Sequence, residues 1–319
     1  MKIVAIGGGT GLSSLLRGLK KYDIDLTAVV AVTDEGGSSG RIREELGVPP
    51  PGDVRNNIVA LAKEDLLGKL FSYRFSSVGD LSGHTVGNII MAALTRMTGS
   101  FGKAVEYISK ILAIKGQVLP VCEEMIRLVA TYSDGMNVVG ERKITSYGKK
   151  ISSVKLNKRA KALDQVVLAI ESADVIIIGP GSLYTSIISN LLVEGVVESI
   201  THNYKAVKIY VANIMTQPGE TQGYSLKDHV DEIKKYVGSR IDCVFVNTKV
   251  PDKSVLDIYL EEGSELIEPS CDGLGEDVVK KPFATVVREE PDFKPKIRHV
   301  PDILALEVMR YVQEKKGLM

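Results

Sequence analysis

The feature that most constrains this chain is a glycine-rich stretch near its start, residues 7–11. A β-branched apolar run precedes it over residues 3–6, and apolar residues at helical spacing follow over 12–19. This order predicts a strand, a tight turn and a helix. The unpaired N–H groups and the dipole of a helix N-terminus favour a phosphate at such a turn. The candidate phosphate-binding residues are Gly8, Gly9, Thr10 and Gly11.

The glycine spacing resembles a dinucleotide-binding fingerprint but does not match it. Leu12 stands where that fingerprint has its third glycine. No Gly-Lys-Ser/Thr sequence follows, so the stretch is not a P-loop either. A glycine turn that serves only helix packing is the alternative, and the rest of the chain has to decide between the two.

The composition argues against several classes of function. The 319 residues carry 40 basic and 40 acidic side chains, and a formal net charge of zero does not indicate binding to nucleic acid or a membrane surface. The three cysteines lack CxxC spacing, which fits a reducing compartment better than a disulfide or zinc framework. We find no signal-peptide pattern and no apolar run of membrane-spanning length, and we expect a cytoplasmic protein without membrane insertion.

A second strand is predicted over residues 26–33, which are apolar and rich in β-branched side chains. The strand ends at Asp34 and Glu35. In a Rossmann-like unit, an acidic residue at this point contacts the ribose hydroxyls of a nucleotide. The alternative is a solvated acidic pair at a strand end. The interval from the first glycine turn favours the nucleotide interpretation, which makes Asp34 a candidate binding residue.

A second glycine-rich loop is predicted over residues 36–41. Its backbone N–H groups, serine hydroxyls and guanidinium would suit a second oxyanion group. A flexible linker is the alternative, since glycine and serine by themselves indicate flexibility. The candidate residues in this loop are Gly37, Ser38 and Arg41.

A proline-rich segment, residues 49–52, precedes a predicted helix. Asp53 is interpreted as the N-cap of this helix, because aspartate is a preferred capping residue. Arg55 and Asn56 then lie in the first turn, where they could face a ligand. An ordinary surface position is the alternative for Arg55.

His84 and Asn88 stand at the start of another predicted helix, whose apolar residues run from 89 to 97. A histidine at a buried helix start is more often a structural residue than a catalytic one. No second metal-binding side chain lies at ligand spacing from His84. Both residues are candidates for ligand binding, and the structural role of His84 stays open.

Residues 117–156 differ from the rest of the chain. Short alternating runs are separated there by turn sequences such as Ser133-Asp134-Gly135. This pattern predicts a small antiparallel insertion within a single α/β domain that spans residues 1–319.

The strand, glycine turn and helix pattern returns between residues 174 and 193. Gly181 and Ser182 end the turn, and a helix is predicted over residues 183–193. The sequence is not a Gly-x-Ser-x-Gly nucleophile elbow, so anion binding is a better interpretation than acyl transfer. Thr216 and Gln217 follow the next predicted strand and are further candidates.

Each of these polar or glycine-rich clusters follows a predicted strand or begins a predicted helix. In an open parallel sheet, ligands bind beyond the carboxyl ends of the strands. The sequence therefore predicts an α/β, Rossmann-like fold with a mostly parallel sheet and helices on both faces. It also predicts a nucleotide or phosphosugar site at one edge of that sheet.

Six motifs occur in order along nearly the whole chain. They are GGGTGLS at 7–13, GGSSGR at 36–41, PPPGDVRN at 49–56, His84 with GN at 87–88, GPGSLYTS at 179–186, and MTQ at 215–217 with GET at 219–221. Together they resemble the gluconeogenesis factor family, the bacterial branch of the 2-phospho-L-lactate transferase (CofD-like) superfamily.

The resemblance implies a Rossmann-like core, a cytoplasmic location and a nucleotide ligand, with a uridine-diphosphate (UDP) sugar as the expected one. It also implies a role in cell shape and envelope synthesis when cells grow on gluconeogenic carbon sources. The related transferases move a phospholactyl-type group from a guanosine diphosphate carrier onto a deazaflavin alcohol, with Mg²⁺. Their acidic residues at the second strand end correspond here to Asp34 and Glu35.

Two positions depart from the family pattern. Two aspartates are usual at the second strand end, and the longer carboxylate of Glu35 would shift a metal ligand outward. Magnesium therefore remains an open possibility here, with Asp34 as its candidate ligand. Ser189 stands where the family usually has proline, a smaller departure that relaxes a helix turn.

Two functions remain as hypotheses. The first is a nucleotide-sugar-binding regulatory protein that acts through protein partners in envelope synthesis, with a homodimer possible. The second is a transferase in which positioning and electrostatics supply the catalysis. In that case Asp34 is the candidate catalytic residue, and Arg41 and Arg55 neutralise phosphate. A nicotinamide-dependent oxidoreductase is disfavoured by the missing third glycine and the lack of an evident proton donor.

Overall fold

The apolar runs near the start and in the second half of the chain pair into one parallel sheet. The computed structural model describes residues 1–63, 66–76, 79–288 and 293–317. All neighbouring strands in this seven-stranded sheet are parallel. In spatial order they are Asp277–Lys281 (β10), Cys243–Asn247 (β9), Val207–Val211 (β8), Val175–Ile178 (β7), Lys2–Gly7 (β1), Asp25–Val30 (β2) and Gln117–Pro120 (β3).

The central strands are buried because their sequences are apolar on both faces. All four residues of β7 are fully buried, and so are most residues of β1. Ile3 aligns with Val175 of β7 on one side and with Leu26 of β2 on the other. Continuous apolar runs of this kind are typical of parallel strands that are covered on both sides.

Helices surround the sheet and bury their apolar faces against it. They are Gly9–Leu19 (α1), Gly37–Leu46 (α2), Gly52–Leu61 (α3), Leu66–Ser72 (α4), Val86–Thr98 (α5), Phe101–Ile111 (α6), Glu141–Tyr147 (α7), Asp164–Glu171 (α8), Ser189–Leu191 (α9), Val196–His202 (α10), Leu226–Val237 (α11), Lys253–Glu261 (α12) and Pro301–Lys315 (α13). One helix of this set, α1, packs against α3 and α13, whereas α10 packs against α8 and α11. The predicted α/β fold class with a mostly parallel sheet is confirmed.

A small antiparallel sheet lies beside the parallel one. Its strands are Leu128–Tyr132 (β4), Asn137–Val139 (β5) and Ile151–Leu156 (β6), in the order β5-β4-β6. The predicted insertion began too early, at residue 117, because β3 pairs in parallel with β2 and belongs to the main sheet. A second antiparallel pair joins Ala284–Arg288 (β11) to Pro295–His299 (β12).

Two local predictions were wrong, and a third predicted helix is present but differs in type. Residues 36–41 are not an open loop, since α2 begins at Gly37 and continues through good helix formers to a left-handed cap at Gly47. The N-cap of α3 is Pro51, so Asp53 lies inside the first turn and does not cap the helix. The helix predicted over residues 183–193 is a π-helical segment, Leu183–Ile188, followed by α9.

Candidate functional site

Three loops meet at the carboxyl edge of the sheet, beyond β1, β7 and β8. The chain leaves β1 towards β2 on one side, and β7 lies on the other, so the strand order reverses between β1 and β7. A crevice at such a reversal is the usual ligand site of open α/β sheets. The glycine-rich stretch at 7–11 and the turn at 179–182 flank this crevice directly.

A cavity of ≈ 360 Å³ lies between these loops; we call it the first cavity. Its wall includes eight of the predicted binding residues. They are Gly8, Gly9, Thr10, Gly11, Gly181, Ser182, Thr216 and Gln217. Residues that lie far apart in the sequence, from the loops after β1, β7 and β8, thus share one concave surface.

The glycines that follow β1 are each needed for a different structural reason. Gly9 has a φ of +64°, a left-handed conformation that L-residues rarely adopt. A Cβ on Gly8 would lie 2.6 Å from Oδ2 of Asp53. A Cβ on Gly11 would lie 2.7 Å from the carbonyl oxygen of Pro180, across the crevice. The motif therefore allows close approach of the β1 and β7 loops as well as an open helix N-terminus.

Reciprocal amide hydrogen bonds lock the other two loops together. The Gly181 N–H donates to Oδ1 of Asn213 at 3.1 Å, and Nδ2 of Asn213 donates to the Gly181 carbonyl at 2.8 Å. The side chain of Gln217 donates to Oγ of Ser182 and accepts from the Leu183 N–H. Sequence analysis missed Asn213, although its position directly after an apolar strand was a usable signal.

The hydroxyl of Thr216 is already engaged within the protein. Its Oγ1 accepts a hydrogen bond from the Glu265 N–H at 2.8 Å, and its own N–H donates to the Glu265 carbonyl at 2.7 Å. Thr216 thus shapes the cavity wall through its backbone, whereas the amide of Gln217 and the hydroxyl of Ser182 present polar atoms along it.

Two half-buried carboxyl groups line the first cavity, on Asp53 and Glu141. Burial raises the pKa of Asp53 to about 8, and the nearby charge of Asp34 adds to this effect. Burial likewise raises the pKa of Glu141 to about 8, again with a contribution from Asp34. Both shifts have the same physical origin: loss of hydration disfavours the charged form of each carboxyl, and the negative charge of Asp34 disfavours it further.

Neither carboxyl was recognised from the sequence. The wrong cap assignment explains why Asp53 was missed: with the helix starting at Gly52, its carboxyl lies beside Gly8 and Gly9, where the Gly9 amide partly offsets the rise of its pKa. Glu141 lies in α7, beside the small antiparallel sheet, and its Oε2 accepts from the Glu35 N–H at 2.8 Å. No local pattern in the sequence connects these two residues to the glycine turn.

Asp34 and Glu35 separate in the structure. Asp34 accepts a hydrogen bond from the Gly36 N–H at 2.7 Å and is not among the residues that line the first cavity. Glu35 faces two guanidinium groups, with Arg127 at 3.2 Å and Arg43 at 3.8 Å. The departure from the family pattern at Glu35 therefore coincides with an ion-pair role for that side chain.

Four more of the predicted residues form a polar network outside the first cavity. Oγ of Ser38 is 2.9 Å from Nδ1 of His84 and accepts from Nδ2 of Asn88 at 3.0 Å. Oδ1 of Asn88 accepts from Nε of Arg55 at 3.1 Å. These contacts fix the side chain of Arg55. Ser38, His84 and Asn88 line neither the first cavity nor the one beside it.

Three further candidates also lie away from the first cavity. A guanidinium N–H of Arg41 donates to the Ser82 carbonyl. Gly37 has a φ of +25° and open space around it. Asn56 lines a second cavity together with Arg55, next to the first one. The predicted site residues thus fall into two adjoining cavities and a supporting layer.

The described residues contain no group of three or more His, Cys, Asp or Glu side chains arranged to hold a metal ion. None of the helices in these parts of the chain has the length and apolar character needed to cross a membrane.

A parallel sheet with glycine-rich turns around a cavity at its strand-order reversal defines a Rossmann-like α/β protein. The chain belongs to the CofD family, since the family model for 2-phospho-L-lactate transferase CofD matches residues 3–288. This family membership confirms the resemblance inferred from the sequence motifs.

Relatives with a gluconeogenesis factor name are similar over most of the chain. A Thermotoga maritima protein named "Putative gluconeogenesis factor" is 55% identical over 301 residues, covering 94% of this chain and 95% of that protein. The gluconeogenesis factor of Bacillus subtilis is 48% identical over 256 residues, covering 79% and 80% respectively. A crystal structure of a UPF0052 family member from Bacillus halodurans has a TM-score of 0.90 and 42% identity, covering 97% of this chain and 99% of that one.

Proposed function

We propose that this chain is a gluconeogenesis factor that binds a nucleoside-diphosphate sugar, with a UDP sugar as the expected ligand, in the first cavity. The observation that carries this proposal is the convergence of the β1, β7 and β8 loops on one cavity at the strand-order reversal. The N-terminus of α1 borders that cavity, and free amides at a helix N-terminus bind phosphate groups. The diphosphate would lie there.

The polar groups around the cavity suit a sugar nucleotide. Gln217 and Ser182 offer an amide and a hydroxyl for hydrogen bonds to sugar or ribose hydroxyls, and the Asn213 amide holds their loops in place. The raised pKa values of Asp53 and Glu141 favour the neutral form of both carboxyls, which would reduce the repulsion of a diphosphate. A few fixed polar groups on a preformed concave surface are the usual basis of ligand specificity.

Calorimetric titration with UDP-glucose, a guanosine diphosphate sugar and NAD, each with and without Mg²⁺, tests this proposal. We expect micromolar binding of UDP-glucose that does not need Mg²⁺, with the ligand recovered unchanged afterwards. A preference for the guanosine ligand that requires Mg²⁺, or consumption of any ligand, would overturn the binding-only proposal. The absence of binding by all three would overturn the nucleotide assignment itself.

A transferase is the second candidate, and the closeness of the Asp34 and Asp53 carboxyls favours it. Magnesium is usually held by one or two carboxylates together with substrate phosphates, and Asp34 and Asp53 offer such a pair. When bound, Mg²⁺ would neutralise charge on a diphosphate leaving group. In this case Asp34 would be the residue on which turnover depends.

The Asp34→Asn variant separates the two candidates. If ligand binding is retained and a measured turnover is lost, the transferase is supported. If the substitution lowers affinity and no turnover exists in the unchanged protein, the regulatory function is supported. Asp257→Asn is the matched control, because Asp257 is an exposed aspartate on α12, away from both cavities.

We also propose that the protein acts in the cytoplasm, through protein partners, on cell shape and envelope synthesis during growth on gluconeogenic carbon sources. The names of its relatives support the link to gluconeogenesis. Deletion of the gene should give misshapen cells on such a carbon source and normal cells on glucose. Normal shape on both would refute this role, and light scattering of the purified protein would show whether it is a homodimer.

A further inference from the structure

A second cavity of ≈ 890 Å³ adjoins the first one on the outer side of α1. Thr10, Ser14, Arg298 and His299 line both cavities. The second cavity is larger than the first, and its walls include residues of α1, α3 and β11 together with residues 72–76 and 82–83. It therefore offers room for a small molecule next to the nucleotide ligand.

The charged side chains in the described lining of the second cavity are all cationic. Its cationic lining residues are Arg17, Arg55, Lys69, Arg74 and Arg298, and its described lining contains no aspartate or glutamate. Within the described parts of the chain, none of these five side chains has a carboxylate within 4.0 Å. The first cavity, by contrast, is bordered by Asp53, Glu141 and Glu262. In a chain with no net charge, this concentration of cations marks a site for an anion.

Arg55 is the fixed cation of the second cavity. Its side chain is only 7% exposed, and its Nε donates to Asn88, which is itself held by Ser38. Burial and the neighbouring charge of Arg74 lower the pKa of Arg55 to about 10, so it stays charged at neutral pH. The charges of Asp53 and Asp34 act on Arg55 in the opposite direction and raise its pKa, but neither carboxylate forms an ion pair with it within 4.0 Å, and a buried charge is costly without a close counter-ion. The geometry leaves the rest of the guanidinium available to an anion in the cavity.

An aromatic surface lies beside these cations. Tyr73 and Phe75 line the second cavity, with their ring centroids 5.4 Å apart in an edge-on arrangement. Tyr73 is 55% exposed although it borders a concave surface. A ligand with a flat or apolar body could pack on these rings while its anionic group meets Arg55 and Arg74.

We propose that the second cavity binds a ligand of its own, a small phosphorylated molecule with an aromatic or apolar body, at the same time as the first cavity holds its nucleotide. The cations supply the phosphate site, and the rings supply the surface for the body of the ligand. The shared wall at Thr10 and Arg298 places the two ligands side by side. This assignment depends on the second cavity alone and not on the identity of the nucleotide.

The test uses 4-nitrophenyl phosphate, which combines a phosphate group with an aromatic ring, in calorimetric titrations of the full chain. Inorganic pyrophosphate supplies charge without a ring, and 4-nitrobenzyl alcohol supplies a ring without phosphate. We expect the phenyl phosphate to bind more tightly than either of them. Arg74→Gln and Lys69→Gln remove exposed cations without touching the core, and each should weaken binding by about 10-fold, the effect of one lost charge-assisted contact.

Lys103→Gln is the matched control, since Lys103 is an exposed cation on α6 outside both cavities and should leave binding unchanged. The same titration is then repeated with saturating UDP-glucose, where we expect a ternary complex. The proposal is overturned if the probe fails to bind, if Arg74→Gln and Lys69→Gln bind it as tightly as the unchanged chain, or if UDP-glucose displaces it competitively. If the probe binds as expected and UDP-glucose does not bind at all, the second site stands and the proposed function of the first cavity fails.

Discussion

Gly11→Ala provides a direct test of how the glycine turn holds the first cavity together. Gly11 lies in the first turn of α1, with a backbone conformation open to any L-residue. The new methyl group would lie 2.7 Å from the carbonyl oxygen of Pro180 and 2.9 Å from its carbon. Ordinary contact begins near 3.4 Å, so the two loops have to separate by about 0.7 Å.

Two opposing effects decide whether Gly11→Ala raises or lowers the free energy of unfolding. Helix propensity alone would make alanine more favourable than glycine by about 1 kcal/mol. Overpacking against a backbone that cannot rotate away costs about 1–3 kcal/mol. We therefore expect a net loss of about 1 kcal/mol of unfolding free energy. Because the displaced loop forms the cavity wall, we also expect UDP-glucose to bind at least about 10-fold more weakly, equivalent to about 1.4 kcal/mol.

Gly18→Ala is the matched comparison on the same helix. Its methyl group would lie 2.1 Å from the Pro301 carbonyl oxygen and 2.7 Å from Cβ of Ala305, at the contact between α1 and α13. This variant should lose at least as much stability as Gly11→Ala but should keep its ligand affinity, since Gly18 lines neither cavity. Urea unfolding followed by circular dichroism and calorimetric titration measure the two quantities. A Gly11→Ala protein as stable as the unchanged chain, or equal loss of affinity in both variants, would refute the reasoning.

Three further predictions concern stability and reactivity. Burial lowers the pKa of His299 to about 4, below its value of about 6.5 in an unfolded chain, so the unfolded state binds this proton more readily and His299 by itself should reduce stability by up to about 3 kcal/mol as the pH drops from 6.5 to 4. The raised pKa values of Asp53 and Glu141 act in the opposite direction, so the contribution of His299 is measured as the difference between urea titrations of the unchanged chain and of His299→Gln, and a difference that stays constant with pH would contradict it. Burial raises the pKa of Cys122 and Cys243 to about 12, so iodoacetamide should modify the partly exposed Cys271 first in the native protein, and peptide mass spectrometry would reveal any other order. Ser225→Ala removes the capping box of α11 and should cost about 1 kcal/mol in urea unfolding, whereas a change near zero would argue against that cap.

Much of the fold follows from local sequence patterns. The strands β1 and β7 could be predicted because their apolar runs are short, β-branched and bounded by glycine turns. The glycine turn at 7–11 and the turn at 179–182 indicated ligand loops because a parallel sheet brings strand ends to one edge. These predictions needed only the spacing of residue types along the chain.

Other features depend on contacts between distant segments. β3 belongs to the main sheet because it pairs with β2, and nothing within residues 117–120 distinguishes that strand from an antiparallel one. The helical start of α2 was hidden because a glycine- and serine-rich sequence is compatible with a loop as well as a helix. Tertiary packing decided between the two.

Local patterns along the chain were enough to predict the class of fold, the edge of the sheet that carries the first cavity and eight of the residues that line it. Contacts between distant segments place the Asp53 carboxyl beside Gly8 and Gly9, bring Glu141 of α7 to the same cavity, and put Arg55 in the second cavity. The physical reason is that periodicity and turn chemistry act over a few residues, whereas the direction of a side chain depends on segments folded against it. The charge of each cavity was therefore set by packing and could not be read from local spacing.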